Sequence, residues 1–532
     1  MVVHLKHILH VVAMYCFVIS IEYITFLSWM RSNGSPSVQK LNTGDDGQFR
    51  PTSYYETILT IVLMAIRLLV LLPVPQFICN LIGLTFYDAF QADIKLSDQD
   101  TAGDKIDHYG DIKVCKGAYD KLETDVHEDK NDNCNFISNG TAIGIDINHE
   151  EHSILLLKTH RPHLCFRVVT RGLFPELVRR NLSHNLLTCA SSSLRDYSFE
   201  IVTDNNLKSL EAIEDSRVRQ IVVPSDYRSS TGAMFKARAL QYALEPGTSP
   251  LKEGAYIVHL DEETLLTNNS INGILNFATN KQHSFGQGLI VYMNDQVVNW
   301  ITTMADSIRV AEDMGKLRFT LSALGKPIFG WKGSFVVTRC EAEKEVTFDH
   351  GPDGSIAEDC YFAMIAMSRG YSFNFIEGEM LEKSPFTIQD IIKQRKRWIQ
   401  GFWLVVHSPK IPIRTKLFLA MSLYGWSTMP LSTVSFVLAM VVTLPNPLWI
   451  NLVGSFCFAV SLYMYIFGLL KSYDLKKSVS RATLLVLVIG QVMAVFLNII
   501  IENIAVCWGV FTSKHHFYIV SKDTDAHAVV DL

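Results

Sequence analysis

Long apolar runs occupy both ends of this 532-residue chain, and its middle is polar. A helix needs about 20 apolar residues to cross a bilayer, and runs near that length cover roughly residues 8–30, 56–84, 417–443, 448–470 and 482–510. Because lipid offers no hydrogen bonds to the backbone, such runs are restricted to helices. The sequence therefore predicts a protein anchored in a membrane at both ends, with one large polar domain between the anchors.

Basic residues between the apolar runs predict the orientation of the chain. The loop before the last run carries Lys471, Lys476, Lys477 and Arg481, whereas the connection at residues 443–447 is uncharged. Cytoplasmic loops are enriched in lysine and arginine, and the cysteines lack the spacing of a disulfide framework or a zinc site. We therefore expect the polar domain to face the cytosol, on the surface of the endoplasmic reticulum or the Golgi.

Two charged residues, Arg67 and Glu502, fall inside apolar runs, where a charge is costly unless it is paired. We interpret them as a mutual or headgroup ion pair that fixes helix packing, with a role in substrate binding as the alternative. Pro73 and Pro75 predict a break in the second run. Glu502 could also mark a re-entrant bend in the last run.

The chain divides into six predicted segments. Residues 91–153 are rich in polar residues and glycine, and they cannot bury enough apolar surface to fold, so we predict a disordered insertion. The segments are N-terminal transmembrane helices at 1–90, the insertion at 91–153, a folded polar domain at 154–384, an amphipathic interfacial helix at 385–410, C-terminal transmembrane helices at 411–513 and a tail at 514–532.

Within the polar domain, short β-branched runs alternate with helical patterns. The predicted strands are Phe166–Thr170, Phe199–Thr203, Gln220–Val223 and Tyr256–Leu260, and the predicted helices include Pro175–Thr188 and Gly232–Leu244. This alternation predicts an α/β fold in which helices cover both faces of a mostly parallel sheet. Ligands of such sheets bind beyond the carboxyl ends of the strands.

Acidic residues follow two of these strands directly. Asp204 is expected to accept hydrogen bonds from a nucleobase or ribose, with a helix N-cap as the alternative role. Asp261 and Glu263 follow the apolar strand Tyr256–Leu260, and in an extended segment their carboxylates point the same way. This pair predicts a site for Mg²⁺ or Mn²⁺ that is also held by substrate phosphates.

A second acidic pair opens a helical pattern at Glu358 and Asp359. Asp359 is the predicted general base, because a carboxylate near a metal and a desolvated hydroxyl can remove the proton of that hydroxyl. Glu358 is predicted to contact the acceptor; two first-turn charges without a chemical role are the alternative. Lys236 lies after a glycine-led helix start and is predicted to bind a phosphate group, or else to be a solvated helix lysine.

A Gln-x-x-Arg-Trp pentad precedes the C-terminal apolar runs. We expect Gln394 and Arg397 to bind a diphosphate, and the Trp398 indole to offer a flat face to a sugar ring. A basic run that only anchors the topology is the alternative. Trp331, beside glycines 330 and 333, is predicted to shape an acceptor subsite.

The order Asp204, Asp261-x-Glu263, Glu358-Asp359 and Gln394-x-x-Arg397-Trp398 resembles the D, DxD, ED and QxxRW series of glycosyltransferase family 2. The amino-acid sequence at residues 167–172, 257–264, 285–290, 373–379 and 394–401 is similar to that of the egghead-type β-1,4-mannosyltransferases within this family. The similarity covers nearly the whole chain outside the insertion. Glu263 departs from a strict DxD pattern, which leaves the ligation geometry of the metal open.

This resemblance implies a GT-A type, Rossmann-like catalytic domain flanked by transmembrane helices. It also implies GDP-mannose as donor, glucosylceramide as membrane-lipid acceptor, and inverting transfer that forms a β-1,4 linkage. Residue types alone reach only metal-dependent transfer from a nucleotide sugar to an acceptor held at the membrane.

Two other functions remain open from the sequence. A processive polysaccharide synthase would use the same carboxylates and pentad. However, few apolar runs follow the polar domain to form the walls of a channel for the polymer. A non-catalytic membrane scaffold or transporter would leave the acidic clusters as solvated faces. Nucleic acid is not an expected partner, because the net charge of −5 lacks the basic excess that phosphate backbones require.

Overall fold

The computed structural model describes residues 2–32, 54–88, 94–96, 162–292, 297–441, 447–473 and 480–512. The predicted insertion at 91–153 lies outside these residues apart from 94–96, and the tail at 514–532 lies outside them entirely.

Helices and strands alternate through the polar domain, and helices alone form both ends. The strands are β1 (Leu164–Thr170), β2 (Tyr197–Thr203), β3 (Val218–Val222), β4 (Tyr256–Leu260), β5 (Phe285–Val291), β6 (Val336–Arg339) and β7 (Phe373–Leu381). The helices are α1 (Val2–Ser32), α2 (Tyr54–Leu68), α3 (Val74–Phe86), α4 (Pro175–Ser191), α5 (Phe235–Tyr242), α6 (Asn268–Asn280), α7 (Trp300–Glu312), α8 (Arg318–Leu324), α9 (Cys340–Val346), α10 (Glu358–Ser368), α11 (Ile388–His407), α12 (Ile413–Ser427), α13 (Met429–Val441), α14 (Leu448–Ser472) and α15 (Arg481–Phe511).

The seven strands form one sheet in the order β3-β2-β1-β4-β6-β5-β7. β1 pairs in parallel with β2 and β4, β2 with β3, and β5 with β7, while β6 is antiparallel to both of its neighbours. Every strand except β6 therefore ends at the same edge of the sheet, and β6 begins there. The predicted α/β class is confirmed, and so is the mostly parallel sheet.

Helices cover both faces of this sheet. On one face, Val202 of β2 and Ile221 of β3 pack in a buried cluster with Ala239 of α5. On the other face, Tyr256 of β4 meets Phe277 of α6 edge to face, with ring centroids 6.1 Å apart. Burial on both faces explains why β1, β2, β4 and β5 are mostly apolar along their length, without a regular alternation of apolar and polar residues.

Three helical stretches are long and apolar enough to cross a membrane, namely residues 61–86, 448–472 and 481–511, and shorter apolar stretches occur at 7–21 and 429–438. The predicted break in the second run is confirmed, because α2 ends in a 3-10 turn and α3 begins after Pro73. A second break separates α12 from α13 at Thr428, just before Pro430, whose ring is tolerated in the first turn of a helix. α15 is continuous through Glu502, so the last run has no re-entrant bend.

α7 joins the α/β domain to the membrane helices. Gly468 of α14 lies against Ser307, and a Cβ on this glycine would fall 1.7 Å from the Ser307 carbonyl oxygen. A π-helical turn follows α7 at Asp313–Leu317. There the side chain of Asn80 on α3 accepts a hydrogen bond from the Lys316 N–H at 2.8 Å. A backbone group freed by the irregular turn is thus satisfied by a membrane helix.

Candidate active site

One cavity of about 1460 Å³ opens at the carboxyl edge of the sheet and continues between the membrane helices. It brings together the site residues predicted from the sequence, which all line its wall: Asp204, Lys236, Asp261, Glu263, Trp331, Glu358, Asp359, Gln394, Arg397 and Trp398. Residues far apart in the chain therefore share one enclosed volume, as a two-substrate reaction requires.

Asp261 and Glu263 lie in a turn, not in an extended segment. The Thr264 N–H donates to the Asp261 carbonyl at 3.1 Å, so the expected alternation of side chains along a strand is wrong here. Both side chains nevertheless line the cavity. Glu262, between them, turns inward and accepts a hydrogen bond from the Thr170 hydroxyl.

Lys236 is the cation at the centre of the acidic cluster. Its Nζ lies 2.6 Å from Asp261 Oδ1 and 4.0 Å from Glu358 Oε1, and its side chain is only 15% exposed. Burial alone lowers the pKa of Lys236, but the charges of Asp261 and Glu358 outweigh burial and raise it. The alternative of a solvated lysine is therefore wrong. Because α5 begins at Phe235, Lys236 lies at its second residue, not one turn into the helix.

Glu358 and Asp359 open α10, as predicted. The Cys360 N–H donates to Asp359 Oδ1 at 2.7 Å. Burial raises the pKa of Asp359 above its usual range, although that N–H and the charges of Lys236 and Arg397 act against it. Burial and the charge of Asp359 also raise the pKa of Glu358. A carboxylate with a raised pKa is a better proton acceptor, which suits general base chemistry.

Gly333 separates Asp359 from Lys236. A Cβ on this glycine would lie 3.2 Å from Lys236 Nζ and 3.3 Å from Asp359 Oδ2. The loop that carries Gly333 reaches the site because β6, which follows it, is antiparallel and begins at the active edge. Absence of a side chain at this position keeps the space between the carboxylate and the ammonium open.

Asp204 follows β2 directly and is held by arginines. Its Oδ1 lies 2.5 Å from Arg238 of α5, and its Oδ2 lies 3.8 Å from Arg171 after β1. The alternative of a helix cap is wrong, because the next helical turn is capped at Leu207.

α11 carries the pentad and spans Ile388–His407, inside the predicted 385–410. The Thr387 hydroxyl caps it by accepting the Asp390 N–H at 3.1 Å. Arg397 is close enough to Glu358 and Asp359 for its charge to lower the pKa of both carboxyls. Arg397 therefore lies near the acidic cluster, and Gln394 lines the same cavity.

Comparisons with known proteins agree with this arrangement. Residues 256–471, from β4 through α14, match the family model described as Glycosyl transferase family group 2. The chain is 45% identical to Beta-1,4-mannosyltransferase egh of Drosophila melanogaster over 473 residues, which cover 89% of this chain and 90% of that protein. Beta-1,4-mannosyltransferase bre-3 of Caenorhabditis elegans shows the same identity and coverage.

The chain belongs to the egghead-type β-1,4-mannosyltransferases of glycosyltransferase family 2. It is therefore a glycosyltransferase, and its α/β domain is of the GT-A type. A crystal structure of Staphylococcus aureus TarS, residues 1–349, covers 63% of this chain and 91% of that chain at 12% identity, with a TM-score of 0.31. A likeness of that size adds nothing to the family assignment.

In this mannosyltransferase-family site, the indole of Trp398 is held by two guanidinium groups. Arg395 Cζ lies 4.4 Å and Arg309 Cζ 4.6 Å from the ring centroid. Both arginines pair with Oδ1 of Asp306 on α7, at 2.7 and 3.3 Å. The sequence pattern singled out Arg397 but assigned nothing to Arg395, because its partner is about ninety positions upstream.

Trp331 does not offer its ring to a ligand. The side chain is 5% exposed and packs edge to face on Phe373, with centroids 5.0 Å apart. Trp331 nevertheless lines the cavity, so its role in shaping an acceptor subsite stays a prediction. The tryptophan instead anchors the loop that carries Gly333.

Glu502 has partners other than Arg67. Its Oε1 lies 2.9 Å from Arg395 of α11, and its Oε2 accepts the Trp426 indole N–H at 3.1 Å. The predicted mutual pair with Arg67 is therefore wrong, whereas the predicted role in helix packing agrees with the geometry. A charge inside an apolar run is thus satisfied by the helix that carries the pentad.

Two further cavity residues escaped the sequence analysis. Glu382 follows β7 at the active edge, where it accepts the Thr264 hydroxyl at 2.7 Å, and burial with the charge of Asp261 raises its pKa. Lys332 pairs with the buried Asp313 at 2.5 Å. The rule that polar residues follow strands would have found Glu382 if β7 had been among the predicted strands.

The carboxylates suit a divalent cation that shares its coordination with a substrate. Among the described residues no group of three acidic, histidine or cysteine side chains forms a complete protein cage. Asp261 and Glu263 both line the cavity. Magnesium is usually bound by one or two carboxylates together with substrate phosphates, so this donor set fits a metal that arrives with a nucleoside diphosphate.

Proposed function

We propose that the protein transfers mannose from GDP-mannose to the glucose of glucosylceramide and forms a β-1,4 linkage with inversion at the anomeric carbon. The names of its relatives support the sugar and the linkage. The resemblance of its motifs to the egghead type supports the donor and the acceptor. One observation carries the proposal: Asp359 lies across Gly333 from Lys236, within the same cavity as Arg397.

In the proposed reaction, the acceptor hydroxyl lies between Asp359 and the anomeric carbon of the donor. The Asp359 carboxylate accepts the hydroxyl proton while the oxygen forms its bond to the anomeric carbon. The bond from that carbon to the diphosphate oxygen breaks on the opposite face, and its electron pair leaves with the diphosphate. Attack from the face opposite the leaving group inverts the configuration.

The leaving diphosphate gains negative charge in this step. Lys236 and Arg397 border the same volume and stabilise that charge. Asp261 and Glu263 would hold Mg²⁺ or Mn²⁺, which when bound neutralises the diphosphate. Asp204, which has two arginine partners, would orient the nucleoside part of the donor.

We place the reaction at the cytosolic face of the endoplasmic reticulum or the Golgi. The basic loop at 471–481 supports this orientation by the positive-inside rule. The cavity continues between apolar helices, which supports an acceptor that stays in the membrane while its sugar reaches Asp359.

The donor is tested with membranes that contain the full-length protein. They are incubated with glucosylceramide and, in turn, labelled GDP-mannose, UDP-glucose and UDP-N-acetylglucosamine, each with and without a chelator. We expect labelled glycolipid only with GDP-mannose and only without the chelator. Labelling by a UDP-sugar alone would overturn the donor assignment.

The length of the product separates this function from that of a processive synthase. We expect one added mannose per acceptor, resolved by mass spectrometry of the glycolipid. A ladder of longer products would support the synthase instead.

A further inference from the structure

The cavity does not end at the pentad. Beyond Trp398 it passes between α3, α12, α14 and α15, where Gln76, Trp426, Met464, Tyr465, Ile499 and Glu502 line it; we call this part the membrane-end chamber. The whole cavity, about 1460 Å³, exceeds the roughly 300–1,000 Å³ typical of a site for one small ligand. There is room for a second ligand next to a nucleotide sugar.

Tyr465 is the unusual residue of this chamber. It is 8% exposed and lines the cavity, yet no residue in the described part of the chain hydrogen-bonds its hydroxyl. A hydroxyl group that lines a cavity and has no protein partner can form a hydrogen bond with a molecule that enters the cavity. A bound ligand with a polar group at this depth would supply that partner.

Several polar groups of the chamber already have protein partners. Glu502 pairs with Arg395 and accepts the Trp426 indole N–H, and the Gln76 side-chain oxygen accepts the Ser422 hydroxyl at 3.0 Å. The Tyr465 hydroxyl differs from these groups, because it has no hydrogen-bond partner in the described part of the chain.

The charges of the chamber restrict what can enter. Glu502 is the only charged side chain among the six residues that define the chamber, and Arg395 beside it is already paired with Glu502 and Asp306. A lipid phosphate in the chamber would meet the Glu502 carboxylate, and none of these six residues is a cation that could offset the repulsion. A neutral lipid with an amide or hydroxyl group avoids this cost and can bond a tyrosine hydroxyl.

We propose that the membrane-end chamber binds the polar linkage between sugar and hydrocarbon chains of a neutral lipid acceptor, with the Tyr465 hydroxyl as its hydrogen-bond partner. The inference rests on the proposed function for its account of the acceptor. It adds that recognition extends below the sugar and requires an amide or hydroxyl group on the lipid.

The test compares two acceptors in the wild type and in a variant that lacks only the Tyr465 hydroxyl group. Glucosylceramide carries an amide and a hydroxyl below its glucose, and a long-chain alkyl β-glucoside carries neither. With Tyr465→Phe, we expect the KM for glucosylceramide to rise about 3–10-fold, while the KM values for the alkyl glucoside and for GDP-mannose stay as in the wild type. An equal change for both acceptors, or no change for either, would overturn the proposal.

Tyr463→Phe is the matched control. Tyr463 lies on the same helix, but its hydroxyl pairs with His7 of α1, away from the cavity. Its loss should leave both acceptor KM values unchanged, and an effect equal to that of Tyr465→Phe would point to general loosening of α14 instead of ligand recognition.

A binding measurement separates this inference from the proposed function. Radiolabelled glucosylceramide is bound to the purified full-length protein in phosphatidylcholine nanodiscs, with no donor present. We expect weaker binding to Tyr465→Phe by the same factor and no displacement by a polyprenyl phosphate. Binding without transfer would refute the proposed function alone; transfer with unaltered binding, or displacement by the phosphate, would refute the chamber proposal alone.

Discussion

The cavity holds its carboxylates differently at its two ends. At the sheet end, Asp261 and Asp359 line open volume near the Lys236 ammonium group. At the membrane end, both oxygens of Glu502 are bonded by Arg395 and Trp426. Carboxylates of the first kind can exchange partners with a substrate, whereas one of the second kind fixes the relative position of helices. Variants at the two ends should therefore fail in different ways.

The largest expected effect comes from Asp359→Asn. The amide is similar in size but cannot accept the hydroxyl proton, so we expect kcat to fall by about 10²–10⁴-fold with little change in donor binding. Initial rates with GDP-mannose and glucosylceramide measure the loss. Asp353→Asn, the same change at an exposed position in the preceding turn, is the control and should keep full activity. Normal turnover of Asp359→Asn would remove this residue as the base.

Lys236→Met should produce the next largest effect. It removes the cation bonded to Asp261 and next to Glu358, and we expect kcat/KM for the donor to fall on the order of 10²-fold. Lys252→Met, at an exposed position, is the matched control. A defect confined to the acceptor KM would contradict the assignment of Lys236 to the donor.

At the membrane end, Arg395→Met should damage folding and acceptor use without affecting the donor. It leaves Glu502 without its cation and removes one support of Trp398, at an expected cost on the order of 3 kcal/mol in the free energy of unfolding. The acceptor KM should rise while the donor KM stays constant, as judged by denaturation in detergent and by steady-state kinetics.

Two further variants interpret the Arg395→Met result. Arg179→Met removes an exposed pair with Glu176 and should cost less than about 1 kcal/mol. Combining Arg395→Met with Glu502→Gln should be less harmful than the sum of the single changes, because both remove one interaction. Additive losses would show that the pair does not couple α11 to α15.

The smallest effect concerns pH. Asp359 works as a base only when it is ionised, and burial raises its pKa above the ordinary value. Activity should therefore fall as the pH drops through this raised pKa, earlier than an ordinary aspartate would allow. The charge of Lys236 lowers the pKa of Asp359. In Lys236→Met this pKa should therefore rise further, and the residual activity should fall at a higher pH than the wild-type activity does. A pH dependence unmoved by that substitution would assign the titration to another group.

Four of the seven strands, β1 to β4, and the acidic residues that follow β2 and β4 were predictable from the sequence. β4 has the predicted bounds, and Asp204 and Asp261 follow their strands at the edge where parallel strands end. Local apolar patterning carries this information for β1, β2 and β4, because these strands are buried on both faces. The conformation of Asp261–Thr264 was not predictable in this way, since the turn depends on contacts made by Thr264 with Ser334 and Glu382.

The partners of charged residues were the part that the sequence analysis missed. Arg67 and Glu502 are both charged residues inside apolar runs, and a mutual ion pair was one prediction for them. In the structure Glu502 pairs with Arg395 instead. Trp331 is predicted to shape an acceptor subsite, and the sequence did not show that its ring packs on Phe373 with the side chain only 5% exposed. Pairing and burial depend on residues that are distant in the chain, which a periodic pattern does not contain.

The amino-acid sequence of the protein by itself predicted the apolar ends, the α/β class and the chemical groups available for glycosyl transfer. It could do so because apolar periodicity and residue type are local properties. Only the tertiary structure decided that these groups line one cavity, that Lys236 lies between the acidic clusters, and that Tyr465 lines the same cavity. Those outcomes depend on the antiparallel β6 and on the packing of α7 and α11 against membrane helices, which are long-range arrangements of the whole chain.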